Sequence, residues 1–197
     1  MKFASLFFHA ALLILFTGCA SPSNQSQQRQ FLNHYRPYHG HAFEGRSTIM
    51  KLGDDSPLTG DPTLQMIVSK TTQDEVRIRF IVNSDASRTW ILRQTRQGLH
   101  LSHDHRYPDG TEHSQNFYGG YANERGTRLK QFFPADARTI QERPAREINV
   151  WSKEFDLENN RYYYRLYLRG ELRYEAEFDL SRPLPIQQDN DPREISP

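Results

Sequence analysis

The stretch Arg161-Tyr162-Tyr163-Tyr164-Arg165-Leu166-Tyr167-Leu168-Arg169-Gly170-Glu171-Leu172-Arg173-Tyr174-Glu175-Ala176-Glu177-Phe178-Asp179-Leu180 decides the fold class. Tyr162, Tyr164, Leu166 and Leu168 stand at alternate positions, and Leu172, Tyr174, Ala176 and Phe178 repeat the pattern after Gly170. Successive side chains of a strand point to opposite faces, so this period marks two half-buried strands. Joined as a hairpin, they set Leu168 opposite Leu172, Leu166 opposite Tyr174, Tyr164 opposite Ala176 and Tyr162 opposite Phe178. One face is then apolar or aromatic. The other sets Arg165 against Glu175 and Arg161 against Asp179, pairs that contribute roughly 0.2–1 kcal/mol each. A slip of one residue would turn every side chain to the wrong face. This register requires the three-residue loop Arg169-Gly170-Glu171. A two-residue turn would suit Gly170 better but would oppose apolar to charged positions, and the face pattern is the stronger signal.

Working outward, Val76, Ile78, Phe80 and Val82 alternate with Glu75, Arg77 and Arg79 in the same way. Rougher runs lie at 43–52, 63–70, 87–95, 98–106, 113–121, 126–133 and 147–157. Together these predict about ten strands in one antiparallel barrel or sandwich, an all-β fold. One short helix is expected at 135–142, stopped by Pro144. Alternation is the same in barrels and sandwiches, so it does not choose between them.

The ends read differently. Met1 and Lys2 supply a positive amino end, and Phe3 to Phe16 form an apolar run broken only by Ser5 and His9. Crossing a bilayer takes roughly 20 apolar residues, so the run suits a targeting segment and not a span. It leads into Leu15-Phe16-Thr17-Gly18-Cys19, which resembles the lipobox of bacterial lipoproteins. That resemblance implies a signal peptide at 1–18, cleavage before Cys19, and acylation of Cys19. Cys19 is also the only cysteine, so acylation accounts for a thiol that would otherwise enter an oxidising compartment unpaired. Ala20 and Ser21 follow it without an aspartate, which favours the outer membrane, with the protein facing the periplasm.

Residues 19–42 are rich in Ser, Gln and Asn and read as a lipid-anchored flexible tether, whose Tyr and Pro residues have the option of docking on the domain. Residues 43–180 form the domain, and the proline-rich 181–197 reads as a disordered tail. Removing 1–18 takes away Lys2 and no acid, leaving basic and acidic residues balanced at 24 each. A balanced chain has no general attraction for nucleic acid.

The candidate chemistry centres on His103-Asp104-His105-Arg106-Tyr107-Pro108-Asp109-Gly110-Thr111-Glu112-His113. Pro108-Asp109-Gly110 fits a type I turn in a three-residue loop, which sets His105 opposite His113 and His103 opposite Gln115. His103 and His105 share a face, so three imidazoles become neighbours that could hold a divalent metal. Zinc needs three or four ligands near tetrahedral geometry, and Asp104 points the other way. The plainer alternative continues the inward face of Leu99 and Leu101 through His103 and His105, their ring nitrogens bonded to backbone, carboxylate or water. Neither Asp104 with His105 nor Glu112 with His113 makes a dyad, because strand neighbours face opposite ways. The sequence has no Gly-x-Ser-x-Gly or phosphate-binding glycine loop, and no cofactor is implied. Tyr118-Gly119-Gly120-Tyr121 places two glycines in a strand pattern, which suggests a bulge, a sharp barrel corner or the close approach of a ligand.

The set His103-Asp104-His105-Arg106-x-x-Asp109-Gly110, Tyr118-Gly119-Gly120, Phe133-Pro134-Ala135-Asp136-Ala137 and Asn149-Val150-Trp151 resembles a family of small exported bacterial proteins over roughly residues 43–180. The resemblance brings no activity with it. The strand count is similar to that of the calycin group, lipocalins and their relatives, whose barrels hold small apolar ligands; the lipocalin Gly-x-Trp opening is missing, with Phe43-Glu44-Gly45 nearest to it. The expectation is therefore a lipid-anchored barrel binding a small, partly apolar ligand near His103, His105, His113 and Tyr118. A non-catalytic envelope protein acting through protein contacts is the alternative, and a metal protein using the three histidines a further one.

Overall fold

In a computed structural model, residues 23–54, 56–107, 109–114 and 116–185 are described. Cys19, the signal segment, Pro108, Gln115 and residues 186–197 of the tail lie outside the described residues.

The strands are β1 (His41–Met50), β2 (Leu64–Thr71), β3 (Glu75–Val82), β4 (Asp85–Thr95), β5 (Gly98–His105), β6 (Tyr118–Tyr121), β7 (Lys130–Pro134), β8 (Asn149–Asp156), β9 (Arg161–Leu168), β10 (Glu171–Asp179) and the short β11 (Leu184–Pro185). The first ten run in the order β6-β5-β4-β3-β2-β1-β10-β9-β8-β7, all pairs antiparallel. Every adjacent pair in this order is consecutive in sequence except β1 with β10, and the consecutive strands β6 and β7 are left as the two edges of a nearly closed barrel.

Those edges meet along a seam. The N–H of Asn123 donates to the carbonyl of Phe132 and that of Asp136 to the carbonyl of Gly119, both at 3.0 Å. The Thr139 hydroxyl accepts from Gly119 N–H at 2.8 Å and donates to Gly119 O at 2.9 Å. Both glycines are required by close backbone approach, Gly119 to β5 and Gly120 to the end of β7: a Cβ on Gly119 would lie 1.8 Å from Leu101 O, and one on Gly120 would lie 1.8 Å from Pro134 O. Closure removes the exposed edges of an open sheet.

The β9–β10 hairpin reconciles the two signals in its sequence. Arg169 and Gly170, with φ of 52° and 82°, make a two-residue turn, so Leu168 faces Glu171 and not Leu172. A bulge between Leu172 and Tyr174 then shifts the register by one. Beyond it Tyr174 faces Leu166, Ala176 faces Tyr164, Phe178 faces Tyr162, and Arg165 faces Glu175, as the face pattern required. The expected three-residue loop is replaced by turn plus bulge, which satisfies both glycine and faces.

All ten expected strands form, although β6 begins only at Tyr118. Phe117 before it takes φ 52°, and Asn116 Oδ1 accepts from the N–H groups of His105 and Phe117, which ends one ladder and starts another. The expected helix is α2 (Ala137–Glu142), capped by Asp136 through Thr139 N.

The tether expectation is corrected. Residues 24–33 form helix α1 (Asn24–Asn33), capped by the Ser23 hydroxyl, and Phe31, Leu32 and Tyr35 are buried in the core. Few of its residues are apolar, but Phe31 and Leu32, with buried Gln28, fall on one helical face, and Tyr35 follows just beyond the helix end. Gln28 Oε1 accepts from Leu99 N at 2.9 Å, and Tyr35 meets Tyr162 hydroxyl to hydroxyl at 2.8 Å. The helix thus seals the barrel end formed by the start of β5, the end of β8 and the start of β9. The tail expectation changes too, since Leu184 and Pro185 pair with Ala42 and His41.

Candidate functional site

Burial along the inner wall is graded from end to end. Near α1, Phe43, Leu99, Phe155, Tyr162 and Phe178 are buried. Toward the opposite end, the inward positions Ser47, Arg88, His105, Leu166 and Leu168 are only half-buried. One end is covered by α1; the opposite end, the mouth, has these five positions half-buried while Leu64, Val82 and Tyr174 are buried.

Between them sits Lys153. In β8, Trp151, Lys153 and Phe155 share the inward face by alternation, and Lys153 is 0% exposed. Its Nζ lies 3.3 Å from the ring centroid of Trp90, 4.7 Å from that of Tyr164 and 5.7 Å from that of Tyr162. It has no hydrogen-bond partner among the described residues. Burial pushes the amine well below its ordinary 10.5, because a charge in an apolar interior loses hydration that the rings only partly replace.

Beside it, His103 is held at both nitrogens. Nδ1 lies 3.1 Å from the Tyr118 carbonyl and Nε2 lies 3.0 Å from the Tyr164 hydroxyl. A carbonyl only accepts, so Nδ1 carries the proton and Nε2 accepts the Tyr164 O–H. Burial, then the nearby Lys153, holds His103 well below its usual range, and burial raises Tyr164 well above 10. The imidazole is therefore neutral and the phenol protonated. The His103 ring stacks on Tyr118 at 4.5 Å and meets Trp151 at 5.0 Å, while Arg146 lies 3.8 Å from the Tyr118 centroid.

The histidine hairpin forms as expected up to His113. Gly110 N–H closes the turn on Tyr107 O, Arg106 bridges to Glu112, and His113 N–H donates to His105 O. The His105 and His113 rings stack at 4.4 Å near the mouth, with Tyr107 4.8 Å from His113. His103, however, pairs with Tyr118, and Gln115 lies outside the described residues. The three imidazoles therefore divide into a buried one with both nitrogens committed and a pair at the rim. Among the described residues, no three His, Cys, Asp or Glu side chains are grouped to hold a metal.

A second polar chain lies on the outer wall. His100 Nε2 donates to Asp136 Oδ2 at 2.9 Å, and Ser102 Oγ lies 3.2 Å from His100 Nδ1. The order is serine, imidazole, carboxylate, but Ser102 sits mid-strand between β4 and β6, and Asp136 also caps α2. Its role is a brace that ties α2 to β5 across the seam.

His103 stacks on Tyr118 and meets Trp151 at a tilt, and Gly119-Gly120 abut Leu101, Pro134 and Asp136. Lys153 and Tyr164 were missed, although the alternation Trp151-Lys153-Phe155 already placed the lysine inward. No protein-family model and no curated protein matches the chain.

Proposed function

We propose that the chain is an outer-membrane lipoprotein, acylated at Cys19, whose periplasm-facing barrel takes a small, partly apolar molecule through the mouth. The lipobox supports the address. The observation that carries the ligand is Lys153. A core that only had to pack would be more stable with an apolar side chain there, since burying an amine without an acid costs stability. A strongly perturbed group in a concave interior is a signature of function. His103, Tyr164, Trp90 and Tyr118 form the wall around it, and His105 with His113 stands at the rim.

A second reading, a packed scaffold working through protein contacts on its outside, is favoured by the dense rings of the interior: Phe80 and Tyr164 each lie 4.5 Å from Trp90. An uncharged fluorophore such as phenylnaphthylamine, titrated into the exported Cys19→Ser chain, separates the two. Ligand binding requires saturable enhancement that Ser47→Trp abolishes by filling the mouth. Absence of saturable binding would leave the scaffold reading. For the address, Cys19→Ser must release the protein from the membrane fraction; continued membrane association would refute acylation there.

A further inference from the structure

The hydrogens around Lys153 restrict what the barrel can hold. The Tyr164 O–H points to His103 Nε2, and the His103 Nδ1–H points to the Tyr118 carbonyl. Lys153 Nζ remains with no acceptor, and Lys153 is the only buried lysine or arginine among the described residues. Around it stand Trp90, Tyr162 and Tyr164, with Phe80 and Phe178 next to Trp90. The group thus offers one amine to one small acceptor, and an otherwise aromatic wall to the rest of the molecule.

From this geometry we infer that the ligand is an amphiphile with a single carboxyl head, which pairs with Lys153, and an apolar body directed toward the mouth. This rests on the ligand-binding reading above. The charge balances: the neutral acid R–COOH gives its proton to the Nζ lone pair, leaving R–COO⁻ hydrogen-bonded to Lys153–NH₃⁺. The interior gains an ion pair and no net charge. Charge-assisted hydrogen bonds are the strong kind, and a buried pair holds only when its geometry is good. A phosphate monoester, with its second charge, would need a further buried cation, and no other lysine or arginine among the described residues is buried.

The test uses the only two tryptophans in the chain, Trp90, whose ring lies under the amine, and Trp151, two residues before Lys153 on the same face of β8. Their emission in the exported Cys19→Ser chain is titrated with dodecanoate and with dodecanol, then repeated in Lys153→Met. Dodecanoate should bind about tenfold or more tighter than dodecanol, and Lys153→Met should remove that advantage. The acid-to-alcohol ratio in the unsubstituted chain stands on its own if Lys153→Met does not fold. Equal affinity for acid and alcohol would overturn the carboxyl assignment and leave the ligand-binding barrel intact. No saturable response to either would overturn both.

Discussion

The hydroxyl of Tyr164 donates to Nε2 of His103 across 3.0 Å inside the barrel, because the other ring nitrogen is already held by the Tyr118 carbonyl. Tyr164→Phe keeps the ring and removes the donor, leaving a buried acceptor without a partner. The expected loss is about 1–3 kcal/mol, read from the urea midpoint at unchanged slope. A neutral result would mean that His103 finds another donor.

Lys153→Met should stabilise the ligand-free protein by about 1–3 kcal/mol near neutral pH. The sign of the pH dependence follows from burial. The folded amine titrates below 10.5, so below that value the unfolded chain holds the extra proton. Stability therefore falls as pH decreases from 10.5 toward the folded value, and Lys153→Met removes this slope. Chemical denaturation of both proteins at several pH values checks it. Parallel curves would contradict it.

Gly120→Ala places a Cβ against the backbone oxygen of Pro134, which has no side-chain freedom with which to move aside. The seam must open or shift, at a cost of about 3 kcal/mol. Calorimetry should show a lowered Tm, and hydrogen exchange should be faster in β6 and β7 than in β2 and β3.

Glu75 anchors a surface cluster, accepting from Arg77 and Arg93 and pairing with Lys70. Burial alone would raise its carboxyl, but the arginine hydrogen bonds and charges outweigh this and lower it from 4.5 to about 2. The contribution is full above 4.5 and is lost as pH falls from there toward 2. Glu75→Gln should be less stable at neutral pH and should show a flatter acid limb in denaturation; an identical acid limb would remove the cluster from the account of acid stability.

The strands were legible because period-two alternation is a direct print of a wall with one wet and one dry face. Even the conflict in the β9–β10 turn was legible, since Gly170 and the faces demanded different loops and the bulge at Arg173 supplies both. Helix α1 was not. Its apolar residues, Phe31 and Leu32, even with Tyr35 just beyond it, are too few to outweigh the surrounding glutamines in composition, and their burial depends on a barrel end that local sequence cannot show. The site was half legible: His103, His105, His113 and Tyr118 were singled out, and their division into two groups follows from the kink at Phe117, a non-glycine at positive φ. Barrel closure likewise became apparent only once Gly119 and Gly120 met β7 and its following loop.

The most direct measurement is native mass spectrometry of the Cys19→Ser chain recovered from the periplasm. A ligand-binding barrel will give a species heavier than the chain by the mass of one small organic molecule, lost in Ser47→Trp. A single species at the mass of the bare chain, unchanged when dodecanoate or dodecanol is added, would contradict it.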